Sequence, residues 1–347
     1  PGAVVPAADG DGGVEIMGVL DPADELLRSA LAAGKPVVTA NKELLAKRGL
    51  ELFAAAASAG RDLLFEAAVA GGIPLIRPLR ESLAGEPITR IMGIVNGTTN
   101  FILTRMTEDG ASYADALAEA QRLGYAEPDP TADVEGFDAG AKVAIIASIA
   151  FGVGVALEDV YCEGISNITA TDIEFARRLG YVVKLLGIAE QSDGQVGVRV
   201  HPAMVPVTHP LASVRDSFNA VFIEGDAVGD LMLYGRGAGA LPTSSALLGD
   251  LIDAAHNLSI GGTGRAPVLA PAKLRSVDDL HSQYYLALDV ADQPGVLAAV
   301  AGVLGDHGVS IQSMEQQGLG EQARLVFITH VAREADVQAT LNDLRNL

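Results

Sequence analysis

Between Val14 and Ala67 short apolar runs alternate with helical stretches, and that alternation constrains the fold more than any other feature of the chain. Val14–Gly18 reads as a strand, and Pro22–Ala33 as a helix that Gly34 can end. Lys35–Ala40 is the next strand, and Asn41 can cap the helix that begins Lys42-Glu43-Leu44-Leu45. A further helix near Leu50–Ala59 leads through Gly60 to the strand Asp62–Ala67. Helices between successive strands imply βαβ units and a parallel sheet, so the fold class is α/β. Such sheets bind ligands beyond the carboxyl ends of their strands. Ahead of them, Pro1–Gly13 reads as a loop.

The middle of the chain alternates less regularly and fits an α+β domain. Ile88–Val95 reads as a strand ending in the turn Asn96-Gly97, and Ser112–Leu123 as a helix with Ser112 and Asp115 in capping positions and Gly124 as its stop. The loop Tyr125–Gly136 precedes an apolar helix, Phe137–Ala150. Val196–Val207 and Ala220–Gly225 are strand-rich. After the turn Gly235–Gly239 a helix is expected near Thr243–Ala255. The tail reads as strand Tyr285–Val290, a helix to His307, strands Val309–Glu315 and Ala323–Val331, and helix Glu334–Leu344. That β-α-β-β-α order is a ferredoxin-like βαββαβ module one strand short. The expected division is 1–72 completed by 235–257, then 73–234, a linker 258–282, and the module 283–347.

Charge and cysteine content exclude several functions. With 24 Lys and Arg against 44 Asp and Glu, the formal charge is −20. Such a surface repels phosphate backbones and anionic lipid, which argues against nucleic-acid and membrane partners. The single cysteine, Cys162, permits neither an internal disulfide nor a cysteine-based zinc site. It reads as a small core residue. No apolar run reaches the ~18 residues of a membrane span, so a cytoplasmic protein is expected. The histidines are scattered, without metal-ligand spacing.

The strongest chemical constellation is Gly124-Tyr125-Ala126-Glu127-Pro128-Asp129-Pro130-Thr131-Ala132-Asp133, followed by Gly136-Phe137-Asp138 and Lys142. Asp138 and Lys142 are four apart and share one helix face, amid small or apolar neighbours. A lysine held beside carboxylates on a partly buried surface can donate a proton to a developing alkoxide. Spacing alone fits an ordinary ion pair of about 0.3–0.5 kcal/mol somewhat better.

These residues resemble the active-site signature of the homoserine dehydrogenases, and other segments resemble that family in the same order. They are Thr39-Ala40-Asn41-Lys42, Glu66-Ala67-Ala68-Val69-Ala70-Gly71-Gly72-Ile73-Pro74, Gly93-Ile94-Val95-Asn96-Gly97-Thr98-Thr99-Asn100, and Gly237-Ala238-Gly239 with Pro242-Thr243. The resemblance implies an incomplete Rossmann-type NAD(P)-binding domain and an α+β catalytic and dimerisation domain. It implies Lys142 as proton donor, Asp138 beside it holding substrate or water, and Lys42 at the reacting centre. Glu127 would bind the substrate amino group, Asp133 would assist in the same pocket, and Asn96, Gly97 and Thr98 would bind substrate from the adjoining turn. NAD or NADP would lie against Gly18, Thr39, Asn41, Lys42, Gly237 and Gly239, and sodium against Glu66, Val69, Gly71 and Ile73. The reaction implied is reduction of L-aspartate 4-semialdehyde to L-homoserine in a homodimer or homotetramer. In the tail, Asp289–Leu297 resembles the strand-to-helix turn of ACT domains, implying an amino-acid site, with threonine as effector, at Asp292, Gln293, Gly295 and Val296.

One expected motif is missing. A dinucleotide site normally shows Gly-x-Gly-x-x-Gly between its first strand and helix. In Gly10-Asp11-Gly12-Gly13-Val14-Glu15 the third glycine is replaced by Glu15, with no strand before it. The family's first two βα units are therefore expected to be absent, and the chain to be a truncated enzyme. A regulatory or assembly subunit that binds amino acid but no cofactor is the alternative. An aspartate-semialdehyde dehydrogenase is rejected, because it needs a catalytic cysteine and Cys162 lies in no suitable motif.

Overall fold

The computed structural model describes residues 10–264, 267, 269–318 and 320–347, so most of the expected loop Pro1–Gly13 lies outside the described residues. The chain divides into two compact units, Pro1–Leu274 and Arg275–Leu347.

The first unit opens with the expected parallel sheet, in shorter strands: Gly13–Glu15, Val37–Thr39 and Leu63–Leu64, hydrogen-bonded in that order. Alternate residues of a strand face opposite sides. Val37 and Leu63 join the main core with Leu27 and Leu31 of the helix Ala23–Ala32 and Leu44 and Leu52 of the helix Lys42–Ala59. Val38 and Leu64 instead meet Ala254 and Leu247 of the helix Ala240–Ser259, which returns to close the other face. The two helices expected after Asn41 are one helix, kinked at Arg48 (φ −131°) and ended by Gly60 in the left-handed region. Asn41 caps it, its side-chain oxygen accepting from the Leu44 N–H at 3.1 Å.

The middle of the unit is a six-stranded sheet in the order Gly229–Arg236, Phe218–Gly225, Ile88–Ile94, Tyr181–Ser192, Gln195–Pro206, Tyr161–Cys162. All neighbours are antiparallel except the last pair. The helix Phe137–Phe151 lies so close to it that a Cβ on Gly187 would sit 2.1 Å from Val143. On the other face Met92, Ile94, Leu186, Ile188 and Phe222 pack with Leu211 and Val214 into a second apolar layer. Three elements differ from the sequence reading. Asn96-Gly97 is no turn: it starts a helix, Gly97–Glu108, buried on nearly every side, so its sequence shows no amphipathic period. Gly235 and Arg236 belong to a strand, not to a turn. Part of the expected linker packs as structure, Ala270–Pro271 pairing with Val153–Gly154 and Leu274 bridging to Val196.

The second unit carries an antiparallel sheet in the order Tyr285–Ala291, Gln322–Thr329, Ile311–Gly318. The helices Val296–Asp306 and Glu334–Leu344 complete the β-α-β-β-α order, and Leu286, Val300, Leu304, Leu325, Phe327 and Val337 form its own core.

Candidate active site

Three pieces of chain converge on one carboxylate. Asn41 starts the helix that carries Lys42, Gly136 (φ +85°) starts the helix that carries Asp138 and Lys142, and the strand Ile88–Ile94 delivers Val95 and Asn96. Asp138 is 8% exposed. Its Oδ1 meets Lys42 Nζ at 2.7 Å. Its Oδ2 accepts from Lys142 Nζ at 2.7 Å and from Asn96 Nδ2 at 2.8 Å. Lys142 Nζ also donates to the Val95 carbonyl at 2.8 Å. Asn96 Nδ2 donates in addition to Asp133 Oδ1 at 2.7 Å.

The electrostatics follow from these contacts. Burial pushes the Asp138 carboxyl up, but the two lysines outweigh it and hold the group far below the usual carboxylate range. Burial acts on Lys42 in the opposite sense and is likewise outweighed, by Asp138, so its ammonium is raised above its ordinary value. For Asp133 burial dominates: together with the neighbouring Asp138 charge it raises the carboxyl, against the lowering by the Asn96 amide. The cluster therefore keeps one carboxylate saturated with cations and a second that holds its proton more tightly. The lysine ends stay within reach of a ligand, the Lys142 side chain 13% and the Lys42 side chain 37% exposed.

The other predicted residues are placed as follows. Asp138 holds Lys42 on one oxygen and Lys142 and Asn96 on the other, so it orients both lysines. Glu127 is not brought into the cluster; it lies on the exposed loop, where its backbone carbonyl accepts from Gln121 Nε2 at 3.1 Å. Thr98 is nearby, its hydroxyl donating to the Tyr125 carbonyl at 2.7 Å. Gly97 is where a side chain cannot be, because a Cβ would lie 2.8 Å from the Ser217 carbonyl oxygen.

Thr39 and Asn41 stand at the carboxyl ends of the parallel strands, but their side chains are spent inside the scaffold. The Thr39 hydroxyl is fully buried and donates to Glu15 at 2.6 Å, and Asn41 Nδ2 donates to the Val19 carbonyl at 2.7 Å. Gly18 (φ +69°) is open to solvent beside them. In the Glu66–Ile73 segment, Ala70 and Gly71 are both left-handed, and a Gly71 Cβ would fall 2.2 Å from the Gly237 carbonyl oxygen. The structure thus brings together two segments matched separately in the sequence. Gly239, with φ +117°, ends the second of them. The Glu66 carboxylate accepts from the backbone N–H groups of Leu75, Ile76 and Arg77. In the second unit Asp292 lies at the strand-to-helix turn, beside Gln293, with Gly295 (φ +95°) capping the helix that Val296 begins.

Sequence reasoning missed the double bridge made by Asn96, and Asp250, which accepts from the Glu66 N–H at 2.8 Å and Arg77 Nη2 at 2.9 Å. An Asn ahead of Gly-Thr-Thr was a usable cap signal for the first. Nothing local marked the second, which lies 184 residues from Glu66 in sequence.

A parallel sheet with crossover helices, joined to a domain that holds paired lysines and carboxylates, fits a nicotinamide-dependent oxidoreductase. Residues 14–66 match the family "Homoserine dehydrogenase, NAD binding domain", residues 74–252 "Homoserine dehydrogenase", and residues 284–347 "ACT domain". The chain is 51% identical to the homoserine dehydrogenase of Corynebacterium glutamicum, over 99% of its own length and 78% of that protein. It is 49% identical to that of Mycobacterium tuberculosis H37Rv, over 96% and 78%. A homoserine dehydrogenase structure from Thiobacillus denitrificans superimposes with a TM-score of 0.93 at 45% identity, covering 97% of this chain and 79% of that one. A hyperthermophilic archaeal homoserine dehydrogenase mutant, solved in complex with NADPH, matches with a TM-score of 0.62 at 33% identity, covering 70% of each. The chain belongs to the homoserine dehydrogenase family, and it is an NAD(P)-dependent oxidoreductase with a Rossmann-like domain, a catalytic domain and an ACT domain. The match of residues 14–66 favours this over a cofactor-free subunit.

Proposed function

We propose that the chain interconverts L-aspartate 4-semialdehyde and L-homoserine, using the Lys42–Asp138–Lys142 cluster. The observation that carries this is the pair of lysine ammonium groups on one buried carboxylate, at the carboxyl ends of the parallel strands. When bound, reduced nicotinamide supplies the hydride that the aldehyde carbon accepts. Lys142 gives a proton to the aldehyde oxygen from Nζ, directly or through a water it orients. Asp138 keeps both lysines charged and fixed, and Lys42 stands where cofactor and substrate meet. Asp133, the carboxylate that no lysine saturates, takes the substrate ammonium, with Glu127 on the adjoining loop.

Gly18, Lys42, Gly237 and Gly239 would hold NAD or NADP, while Thr39 and Asn41 shape the strand ends beneath. A left-handed pair at Ala70-Gly71 suits a turn whose carbonyls face a hard cation. Sodium would therefore bind through the backbone at Val69, Gly71 and Ile73, with Glu66 bracing the turn. Backbone N–H groups at the start of the Val296–Asp306 helix suit an amino-acid carboxylate, which makes the turn from Asp292 to Val296 the site for threonine. We read the domains as 1–72 completed by 235–257, 73–234, and the module 283–347, and a cytoplasmic homodimer or homotetramer completes the reading. No helix among the described residues is long and apolar enough to cross a membrane.

The test is fluorescence titration of the full chain with NADPH and NADH, followed by turnover of aspartate semialdehyde. Micromolar binding with turnover is the expected result. Binding without turnover of this substrate would overturn the assignment, as would turnover in which Lys142→Ala is indifferent.

A further inference from the structure

We propose that Asn96 is a positioning residue that divides the labour of the two buried carboxylates, tying Asp138 to the lysines while keeping Asp133 ionised for substrate. The inference rests on the reading of the active site given above, and its basis is the orientation of one amide. Asn96 Oδ1 accepts from the Thr99 backbone N–H at 2.9 Å, and that group can only donate. The Thr99 hydroxyl points at the same oxygen, also at 2.9 Å. The amide therefore cannot be flipped, and both hydrogens of Nδ2 must face the carboxylates, Asp133 Oδ1 at 2.7 Å and Asp138 Oδ2 at 2.8 Å. Asn96 is 4% exposed, and these four contacts occupy it completely. Its side chain has no group left for substrate.

Two carboxylates brought this close would share a proton unless something favours the doubly ionised state. The lysines do this for Asp138, on both of its oxygens. Asp133 makes no direct ion pair among the described residues. It is faced by Lys42 and Lys142 at longer range and by the Asp138 charge, with Thr98 on the adjoining helix start. The Asn96 N–H donates directly to its carboxylate and lowers it more than the Thr98 hydroxyl does. A substrate ammonium requires that carboxylate ionised, so loss of the donor must move the acid side of the pH profile.

The amide has a second duty, capping the Gly97–Glu108 helix through Oδ1, and the two duties can be separated. Serine and aspartate are as good at a helix start as asparagine, yet neither presents two N–H groups to the carboxylates. In the full chain, Asn96→Ser should fold normally, with kcat/KM for homoserine about 10- to 100-fold lower. The acid limb of its kcat/KM profile should lie about one pH unit higher. Asn96→Asp, which adds a third carboxylate, should move the limb further in the same direction. A folded Asn96→Ser or Asn96→Asp with the wild-type acid limb would overturn the proposal. Failure of both to fold would do so too, by making the residue part of the scaffold. Lys142→Ala run alongside separates this from the underlying assignment. An inactive Lys142→Ala with an unmoved Asn96→Ser profile overturns the clamp alone, and an active Lys142→Ala overturns the active site itself.

Discussion

Asp138 and Glu66 are both buried acids near the junction of the nucleotide-binding and catalytic parts, 8% and 4% exposed, and the fold uses them in opposite ways. Asp138 is matched by mobile charge, two lysine ammonium groups and one amide. Glu66 is matched by backbone, three successive N–H groups at the start of the Ile76–Arg80 helix. A carboxylate spent on backbone fixes the course of the chain and leaves nothing to react. A carboxylate spent on lysines fixes their ends while leaving the protons transferable. The comparison teaches that burial of an acid does not mark a catalytic group; the kind of partner does. Variants at the first cluster should therefore change rate, and variants at the second should change stability.

The largest effect is expected at Lys142. Lys142→Ala removes the proton donor, and kcat should fall about a hundred- to ten-thousand-fold. Asp138 keeps Lys42 and Asn96, so no buried charge is stranded and the melting temperature should change little. A collapse of stability with turnover intact in the surviving protein would invert the comparison. Glu66→Ala should show the reverse pattern. It strands three N–H donors, those of Leu75 and Ile76 buried and that of Arg77 partly so, of which entering water can satisfy some, and the net cost is about 2–4 kcal/mol. Urea unfolding reads that loss, while kcat measured well below the transition should stay near normal. A rate loss as large as that of Lys142→Ala would mean that Glu66 acts in the reaction.

How much of this was legible from sequence depends on how local the signal is. The helix cap at Asn41, the stop at Gly60 and the i,i+4 pair Asp138–Lys142 are each written within a few residues, and each is where the sequence puts it. The Gly97–Glu108 helix was hidden for the opposite reason: its surroundings bury Thr98 through Thr104 on all sides, which erases the amphipathic period. Gly71 and Gly237 could be noticed as glycines, but only the fold shows that Gly71 leaves room for the Gly237 backbone and Gly237 for the Asn219 side chain. Lys42 meets Asp138 through tertiary packing between helices nearly a hundred residues apart, and only the resemblance anticipated it. The same holds for Asp250, where burial, not a motif, makes the residue matter.

That residue supplies the smallest prediction and separates the two clusters by pH. Asp250 is 2% exposed, and burial pushes its carboxyl up from an ordinary 3.8 to about 6, against the lowering by the Glu66 N–H and Arg77. A carboxyl raised in the folded state binds its proton more tightly there than in the unfolded chain. The stability it contributes is complete below about pH 4 and is lost as pH rises through about 6. Asp138 behaves oppositely: its depressed carboxyl contributes stability above about pH 4 that is lost only as pH falls further. Between pH 4 and 6 Asp138 is therefore silent, and because the raised Asp133 is common to both proteins, the difference between wild type and Asp250→Asn isolates the other cluster. Chemical denaturation across that window should show wild-type stability falling by about 1–3 kcal/mol relative to the variant as pH rises. Parallel curves would mean that Arg77 and the Glu66 N–H already hold Asp250 ionised. The two clusters would then differ in what their carboxylates touch, but not in how they respond to acid.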